Sequence, residues 1–331
     1  MAFSILIPPL VVADAIAYLR IAMRPSFVFA FIGQTLTGLY TASGNSRTPF
    51  VANCIGMGAN IVLDPLLIFG LGPIPGMGVA GAAIATVTAQ FIVALVLVIS
   101  MRRDPVLASQ MRVWIPTPLS NIKTMVRIGF PAAIQSMLYC RISMVLTRFV
   151  TAWGDTAVAV QRVGGQIESI SWMTADGFGT AINAFVGTEL WRGKPEAGKE
   201  RLHDSICHHV YMGHFYHPAF SYFGAAPIFS LFIHEAEVIP AGADYLRIIG
   251  FSEMFMCVEL MTVGALSGMG KTMEASVITI ILTAARIPLA VILGGTAMGL
   301  NGIWWALTIS SIVKGIIFFV YYLHIMKRMK A

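Results

Sequence analysis

Acidic side chains occur inside long apolar stretches of this sequence. Glu168 and Asp176 lie in the segment 158–187, and Glu259 lies in the segment 244–266. A carboxylate at bilayer depth costs about 2.5–3.5 kcal/mol, so such residues usually face a wet cavity or a partner. We interpret Glu168 and Glu259, with Asp176 in support, as a candidate cation-coupling site. Proton or Na⁺ occupancy there would compete with a positively charged cargo.

Polar residues in the segment 158–187 recur at spacings of three and four, which places them on one face of a helix. The stripe consists of Gln161, Gly165, Glu168, Trp172, Asp176, Gly179 and Asn183. We predict that this face turns inward, toward water or cargo. Gln161, Trp172 and Asn183 would then line a substrate cleft, and the indole of Trp172 could stack on a flat organic cation.

Other polar residues of the apolar stretches have structural interpretations. Glu168 has the alternative of a permanent ion pair with an arginine on a neighbouring segment, and the candidates are Arg141, Arg148 and Arg162. Asp64 precedes Pro65 near the end of its segment, where a helix-end role is favoured over a role in transport. Arg286 lies deep in an apolar segment and would suit an acidic partner that the sequence does not name.

The elements that position these residues follow from the composition. The chain has 331 residues, of which 57% are hydrophobic and only 11% are charged, whereas soluble domains carry roughly 25% charged residues. The solvent of this chain is therefore lipid. A bilayer-spanning helix needs about 20 mostly apolar residues. Nine such segments are predicted, at 25–43, 49–71, 78–100, 129–151, 158–187, 207–233, 244–266, 274–296 and 301–324.

Basic residues are distributed unevenly between the connections. They occur in alternate connections, 44–48, 101–128, 188–206, 267–273 and 325–331, and are missing from 72–77, 152–157, 234–243 and 297–300. Positive charge collects on the cytoplasmic side of membrane proteins, so this pattern orients the chain in a cell membrane. The net charge of +6 is thereby explained by topology, and a nucleic-acid partner is not expected.

The two ends of the chain repeat one another. AYLRIA at 17–22 matches DYLRII at 244–249, and ASGNSRTP at 42–49 matches LSGMGKTM at 266–273. DPLLIFG at 64–70 matches IPLAVILGG at 287–295, and GVAGAAIAT at 78–86 matches GLNGIWWALT at 299–308. Three further segments separate the two halves of the repeat.

The stretch GALSGMGKT at 264–272 comes within one residue of a phosphate-binding P-loop, but the required glycine is replaced by Ala265. The repeat gives another interpretation, in which Gly268 and Gly270 correspond to Gly44 and Ser46 at a helix end. Glycine there adopts the left-handed conformation that terminates a helix. We predict that Lys271 and Arg47 meet the negative end of the helix dipole in these turns.

Five of the seven histidines lie within fifteen residues, at His203, His208, His209, His214 and His217. Membrane di-iron enzymes place histidine boxes on several helices, whereas only one cluster occurs here. We therefore expect neither a metal enzyme nor a bound cofactor. Proton sensing by His214 or His217 is an alternative.

Several motifs resemble those of the multidrug and toxic compound extrusion (MATE) transporters. They occur in family order between about residues 14 and 328 and comprise SGNSRTPF (43–50), NIVLDPLLIFG (60–70), GVAGAAIATV (78–87), RIGFPAAIQ (127–135), AVAVQRVGGQIESISWMTADGF (157–178) and ELMTVGALSGMGKT (259–272). The resemblance implies an all-α membrane bundle of two six-helix lobes. A cleft between the lobes would open alternately to either side while Na⁺ or H⁺ entry drives the export of organic cations.

The sequence resembles spans four to twelve of that plan and lacks counterparts of the first three. The resemblance then divides the chain into an incomplete N-terminal lobe (1–100), a cytoplasmic linker (101–128) and a C-terminal lobe (129–331). Tyr139 occupies the position where some members carry an acid in the seventh span, and we include it in the substrate cleft.

The sequence therefore predicts a multi-pass antiporter in the cell membrane, whose partners are the lipid bilayer and small organic cations. It is not expected to be an enzyme or to need an obligate protein partner. Two alternatives remain open. One is an inactive remnant of a transporter, and the other is a flippase of related fold for lipid-linked saccharides, which would be expected to have a strongly basic cavity.

Overall fold

A computed structural model describes residues 9–71, 74–104, 107, 117–192 and 224–328 of the chain. The residues group into two compact units, Met1–Pro116 and Thr117–Ala331. The described part is almost entirely helical, apart from a short antiparallel ladder between β1 (Gly70–Leu71) and β2 (Ile74–Pro75). This agrees with the predicted all-α class.

The first unit contains three long helices, α1 (Pro9–Ala42), α2 (Arg47–Ile68) and α3 (Gly78–Arg103). Helix α3 packs against both α1 and α2. Buried apolar side chains, among them Leu36, Ala52 and Leu97, form the core between them.

The second unit contains eight described helices. They are α4 (Leu119–Thr151), α5 (Asp155–Trp191), α6 (Ala225–Ser230), α7 (Ile239–Gly250), α8 (Glu253–Gly268), α9 (Thr272–Ala284), α10 (Arg286–Gly294) and α11 (Gly299–Arg328). Helix α4 begins within the segment 101–128 that the sequence assigned to a linker. Helix α5 packs along α8, α8 also packs on α11, and α10 packs on α11.

Small residues bring α5 and α8 unusually close. A Cβ atom added to Gly264 would lie 2.2 Å from the carbonyl oxygen of Gly179, and one added to Gly268 would lie 2.5 Å from that of Asn183. Gly264 and Gly268 are spaced as in the GxxxG pattern that lets helix backbones approach in membranes. One apolar core cluster of the unit includes Phe229, Leu246 and Trp304.

Four described helices are long and apolar enough to cross a membrane, and up to six spans result if each of two bent pairs forms one span. The four span Arg47–Ile68, Gly78–Arg103, Thr272–Gly294 and Gly299–Ile325. Helices α4 and α5 cover two further predicted segments but are less apolar. Most of the segment 207–233 and all five clustered histidines lie outside the described residues. The count of nine spans stays a prediction.

The internal repeat is visible in the turn after α1 and the turn after α8. The backbone N–H of Asn45 donates to the carbonyl of Tyr40, and that of Lys271 donates to the carbonyl of Leu266. Both turns contain a left-handed glycine, Gly44 (φ 82°) and Gly270 (φ 74°). These are the hydrogen bonds and the conformation that end helices, so the segment 264–272 is a helix end followed by a turn.

This geometry corrects the residue correspondence expected from the sequence. Gly270, not Gly268, is the equivalent of Gly44, because Gly268 is still helical and packs against Asn183. Lys271 and Arg47 are exposed at the start of the following helices, α9 and α2. They also follow the C-terminal end of the preceding helix, where the dipole favours positive charge, so the dipole interpretation stays a prediction.

The bends of the helices repeat as well. Helix α1 bends by 50° between Ala15–Met23 and Pro25–Ala42, and the pair α7 and α8 bends by 48° between Gly250 and Glu253. Further along, Gly78 and Gly299 begin α3 and α11 with φ values of 53° and 54°. The backbone plan of α1–α3 therefore recurs in α7–α11.

Candidate functional site

A cavity of about 520 Å³ lies within the second unit. Its lining includes five of the residues that the sequence predicted for the site, Tyr139, Gln161, Glu168, Trp172 and Glu259. The structure thus brings the two glutamates predicted for coupling to one cavity.

Glu259 on α8 forms a buried ion pair with Lys314 on α11. The ammonium nitrogen of Lys314 lies 2.8 Å from Oε1 of Glu259, and both side chains are less than a tenth exposed. The next residue, Gly315, makes this contact possible, because a Cβ atom there would lie 2.5 Å from the carbonyl oxygen of Phe255. Removing one partner of such a pair leaves an uncompensated charge.

Glu168 on α5 accepts a hydrogen bond from the hydroxyl of Tyr245 on α7, at 3.2 Å. The ring of Tyr245 reaches α5 because Gly164 has no side chain; a Cβ atom there would lie 2.3 Å from the ring. Trp304 packs edge-on against the ring at 5.2 Å and fixes it from the other side. Within the described residues, no basic side chain forms an ion pair with Glu168. The arginines proposed as its partners, Arg141, Arg148 and Arg162, are exposed.

A third acid, Glu253, lies at the start of α8 and is almost fully buried. It accepts a hydrogen bond from the hydroxyl of Ser171, one turn along α5 from Glu168. Helix α5 is therefore hydrogen-bonded to both sides of the bend between α7 and α8. It contacts Tyr245 before the bend and Glu253 after it.

Arg286 on α10 also lines the cavity. Its Nη2 donates to the hydroxyl oxygen of Ser311 at 2.8 Å, and its Nε lies 3.3 Å from that of Ser310. Ser310 donates its own proton to the carbonyl of Leu282, which leaves its oxygen as the acceptor for Arg286. The guanidinium is thus held by neutral side chains.

The structure does not place all of the predicted stripe in the cavity. Asp176 is exposed and Asn183 is absent from the lining. The buried face of α5 in this region runs instead through Ser171, Ala175, Gly179, Ile182 and Val186, one residue away from Asp176. Asp176 therefore does not join the two glutamates in this cavity, because the face of α5 that lines the cavity turns into the face that packs on α8; its part in coupling stays a prediction.

The remaining predicted residues lie in the first unit, where Asp64 and Pro65 occupy the last turn of α2. The carbonyl of Pro65 accepts the N–H of Phe69, which ends the helix. No group of three His, Cys, Asp or Glu side chains suited to a metal ion occurs among the described residues.

The sequence analysis missed Lys314 entirely and left Arg286 without a named partner. A signal for Lys314 was present, because a lysine in the middle of a long apolar segment indicates a partner or a function by itself. The identity of the partner was not readable, since Glu259 lies 55 residues earlier in the sequence.

A second cavity, of about 510 Å³, lies within the first unit. Its polar lining is uncharged and consists of Gln34, Thr37, Asn53, Asn60, Thr86 and Gln90. When the two halves of the repeat are aligned on their glycine turns and on Gly78 and Gly299, this cavity corresponds to the charged cavity of the second unit. Gly33, Asn60 and Val93 then occupy the places of Glu259, Arg286 and Lys314.

Comparisons with known proteins agree with this architecture. Residues 131–292 match the MatE family model. The probable multidrug resistance protein NorM of Thermotoga maritima is 29% identical over 300 residues, which cover 88% of this chain and 63% of that protein. A FAD transporter of Shewanella oneidensis is 26% identical over 88% of this chain and 64% of its own length. The chain thus spans a little under two thirds of these relatives.

Solved structures share the fold. A MATE protein in the bent conformation gives a TM-score of 0.82 at 22% identity, over 99% of this chain and 72% of that one. A MATE transporter of Vibrio cholerae gives 0.81 at 18% identity, over 97% and 72% of the two chains. The fold is that of a polytopic membrane helix bundle, and its second unit contains a charged cavity. In sequence and in fold the chain is therefore similar to MATE transporters.

Proposed function

We propose that this chain acts in secondary active export of organic cations across the cell membrane, in exchange for Na⁺ or H⁺. The observation that carries the proposal is the pair of carboxylates, Glu168 and Glu259, on one interior cavity of a MATE-family bundle. Buried acids in membrane transporters mark ion and substrate pathways.

The two carboxylates have different environments, which suggests different roles. Glu259 is neutralised by Lys314, so an incoming cation must compete with an ammonium group that is already in place. Glu168 accepts one described hydrogen bond, from the hydroxyl of Tyr245, and feels the charge of Arg286 without forming an ion pair with it. Its carboxylate keeps lone pairs available to a proton, Na⁺ or cargo. Glu168 is the more accessible acceptor of the two.

The proposal is tested by dye efflux in cells that lack other exporters. Cells that express the 331-residue chain are expected to extrude ethidium when an ion gradient is present, and to stop when the gradient is collapsed. Glu168→Gln and Glu259→Gln are expected to abolish gradient-driven efflux while the protein remains in the membrane.

Asp176→Asn is the matched control, since it removes an exposed carboxylate from the same helix as Glu168 and is expected to leave efflux unchanged. Efflux that survives both glutamate substitutions would contradict the proposed coupling site. A stable, inserted protein without any efflux would instead favour the remnant interpretation.

A further inference from the structure

The charges that line the cavity of the second unit divide into one ion pair and two groups, Glu168 and Arg286, that attract each other electrostatically but are in ion-pair contact with no described residue. Glu259 and Lys314 neutralise each other. Glu168 and Arg286 face the same cavity but make their described hydrogen bonds to neutral hydroxyls. Building on the proposed function, we propose that this cavity takes amphoteric molecules, with the cargo amine at Glu168 and a cargo carboxylate at Arg286.

Arg286 is prepared for a carboxylate by the way it is held. A guanidinium has five N–H donors and no acceptor, and two of its nitrogens are engaged by Ser310 and Ser311. These contacts fix the plane of the group and leave further N–H donors for the cavity. A planar fork of donors fits a carboxylate better than it fits a single oxygen atom.

Glu168 lies on a different helix, α5, and presents the opposite charge. Its bond to Tyr245 uses one lone pair, and a carboxylate offers about four. Trp172 follows one turn later and also lines the cavity, where an indole face favours a cation. An amine at Glu168 would therefore meet two attractive groups.

The test uses three fluorescent probes that differ only in charged groups. Nε-dansyl-lysine carries an amine and a carboxylate, dansylcadaverine is the same molecule without the carboxylate, and dansylaminohexanoic acid lacks the amine. Binding is measured by the fluorescence of each probe with the full chain in lipid nanodiscs, against empty nanodiscs. A charged hydrogen-bonded contact changes affinity by about tenfold or more, so wild type is expected to prefer dansyl-lysine to dansylcadaverine by that factor.

Arg286→Gln is expected to remove this preference and leave dansylcadaverine within about twofold of wild type. Glu168→Gln is expected to weaken dansyl-lysine and dansylcadaverine alike. Ser311→Ala, which removes one support of the guanidinium, should reduce the preference severalfold, and it decides the matter if Arg286→Gln does not fold.

Three results would overturn the inference: equal binding of dansyl-lysine and dansylcadaverine by wild type, equal losses for both probes in Arg286→Gln or Ser311→Ala, or no binding of any probe. Binding needs no ion gradient, so this outcome is separable from that of the efflux assay. Export without a preference for the carboxylate would remove only this inference, and the preference without export would remove only the proposed function.

Discussion

The two halves of the internal repeat share their backbone and differ in their charge. Helices α1–α3 and α7–α11 have bends of 50° and 48°, left-handed glycines at Gly44 and Gly270, and one lined cavity each. Yet the first cavity is lined by amides and the second by two acids and two bases. The ion pair is therefore not a requirement of this helix arrangement, and its presence in one half indicates a specific role there.

The bends also show that one shape can arise from different sequences. Pro25 interrupts the hydrogen bonds of α1, which is a common cause of kinks. The equivalent position in the second half is Phe251, and the break there falls between the separate helices α7 and α8. The bend is thus retained without the proline.

The largest expected effect comes from breaking the ion pair that only one half contains. Lys314→Met leaves the buried carboxylate of Glu259 without a partner, and the expected loss is about 3–5 kcal/mol in the free energy of unfolding. The loss is measured by denaturant titration of the protein in detergent micelles.

The double variant Lys314→Met with Glu259→Gln removes both charges, as in the uncharged first half. It is expected to recover most of the lost stability. A double variant as unstable as the single one would show that the pair is structurally required, against the comparison of the two halves.

A smaller effect is expected from the helix contact at Gly264, whose equivalent in the first half is Gly38. Gly264→Ala forces the backbones of α8 and α5 apart and should cost about 1–3 kcal/mol. Among the described residues, nothing lies within 4 Å of a Cβ added at Gly38. Gly38→Ala should therefore be neutral, or stabilising by less than about 1 kcal/mol. Thermal unfolding of both variants checks this, and equal losses would contradict the assigned contact.

The smallest difference concerns the starts of α2 and α9. Oδ1 of Asn45 accepts the N–H of Thr48, whereas Lys271 at the equivalent position makes no side-chain cap. Asn45→Ala is expected to cost about 1 kcal/mol, and Lys271→Ala should change stability by less than about 0.5 kcal/mol. The same unfolding experiment compares them, with a larger loss in Lys271→Ala as the contrary result.

Sequence patterns predicted the features that repeat locally. Glycines at helix ends and long apolar segments are properties of neighbouring residues, so the turn at Gly270, the helical class and the resemblance to MATE transporters were readable. The correspondence of Gly268 with Gly44 was wrong by two residues. Residue type alone does not distinguish a glycine that packs against another helix, as Gly268 does against Asn183, from a glycine in a turn.

The candidate site was only partly predictable, because its members come from different helices. Spacing along α5 identified Glu168 and Trp172 correctly as cavity residues but added Asp176. A helix that is crossed by two others changes its contact face along its length, and regular spacing does not register that change. The link from Glu259 to Lys314 and the serines around Arg286 depend on how α8, α10 and α11 pack, which no short pattern encodes.

Glu168 and Ser171 of α5 are hydrogen-bonded to the two helices of one bent pair, α7 and α8. Tyr245 belongs to α7, before the bend, and Glu253 belongs to α8, after it. Their partners on α5 are one helical turn apart. A change in the angle between α7 and α8 would therefore lengthen one of these two hydrogen bonds before the other. Spectroscopic labels on α7 and α8 would then report the binding of cargo at Glu168 as a change in the angle between the two helices.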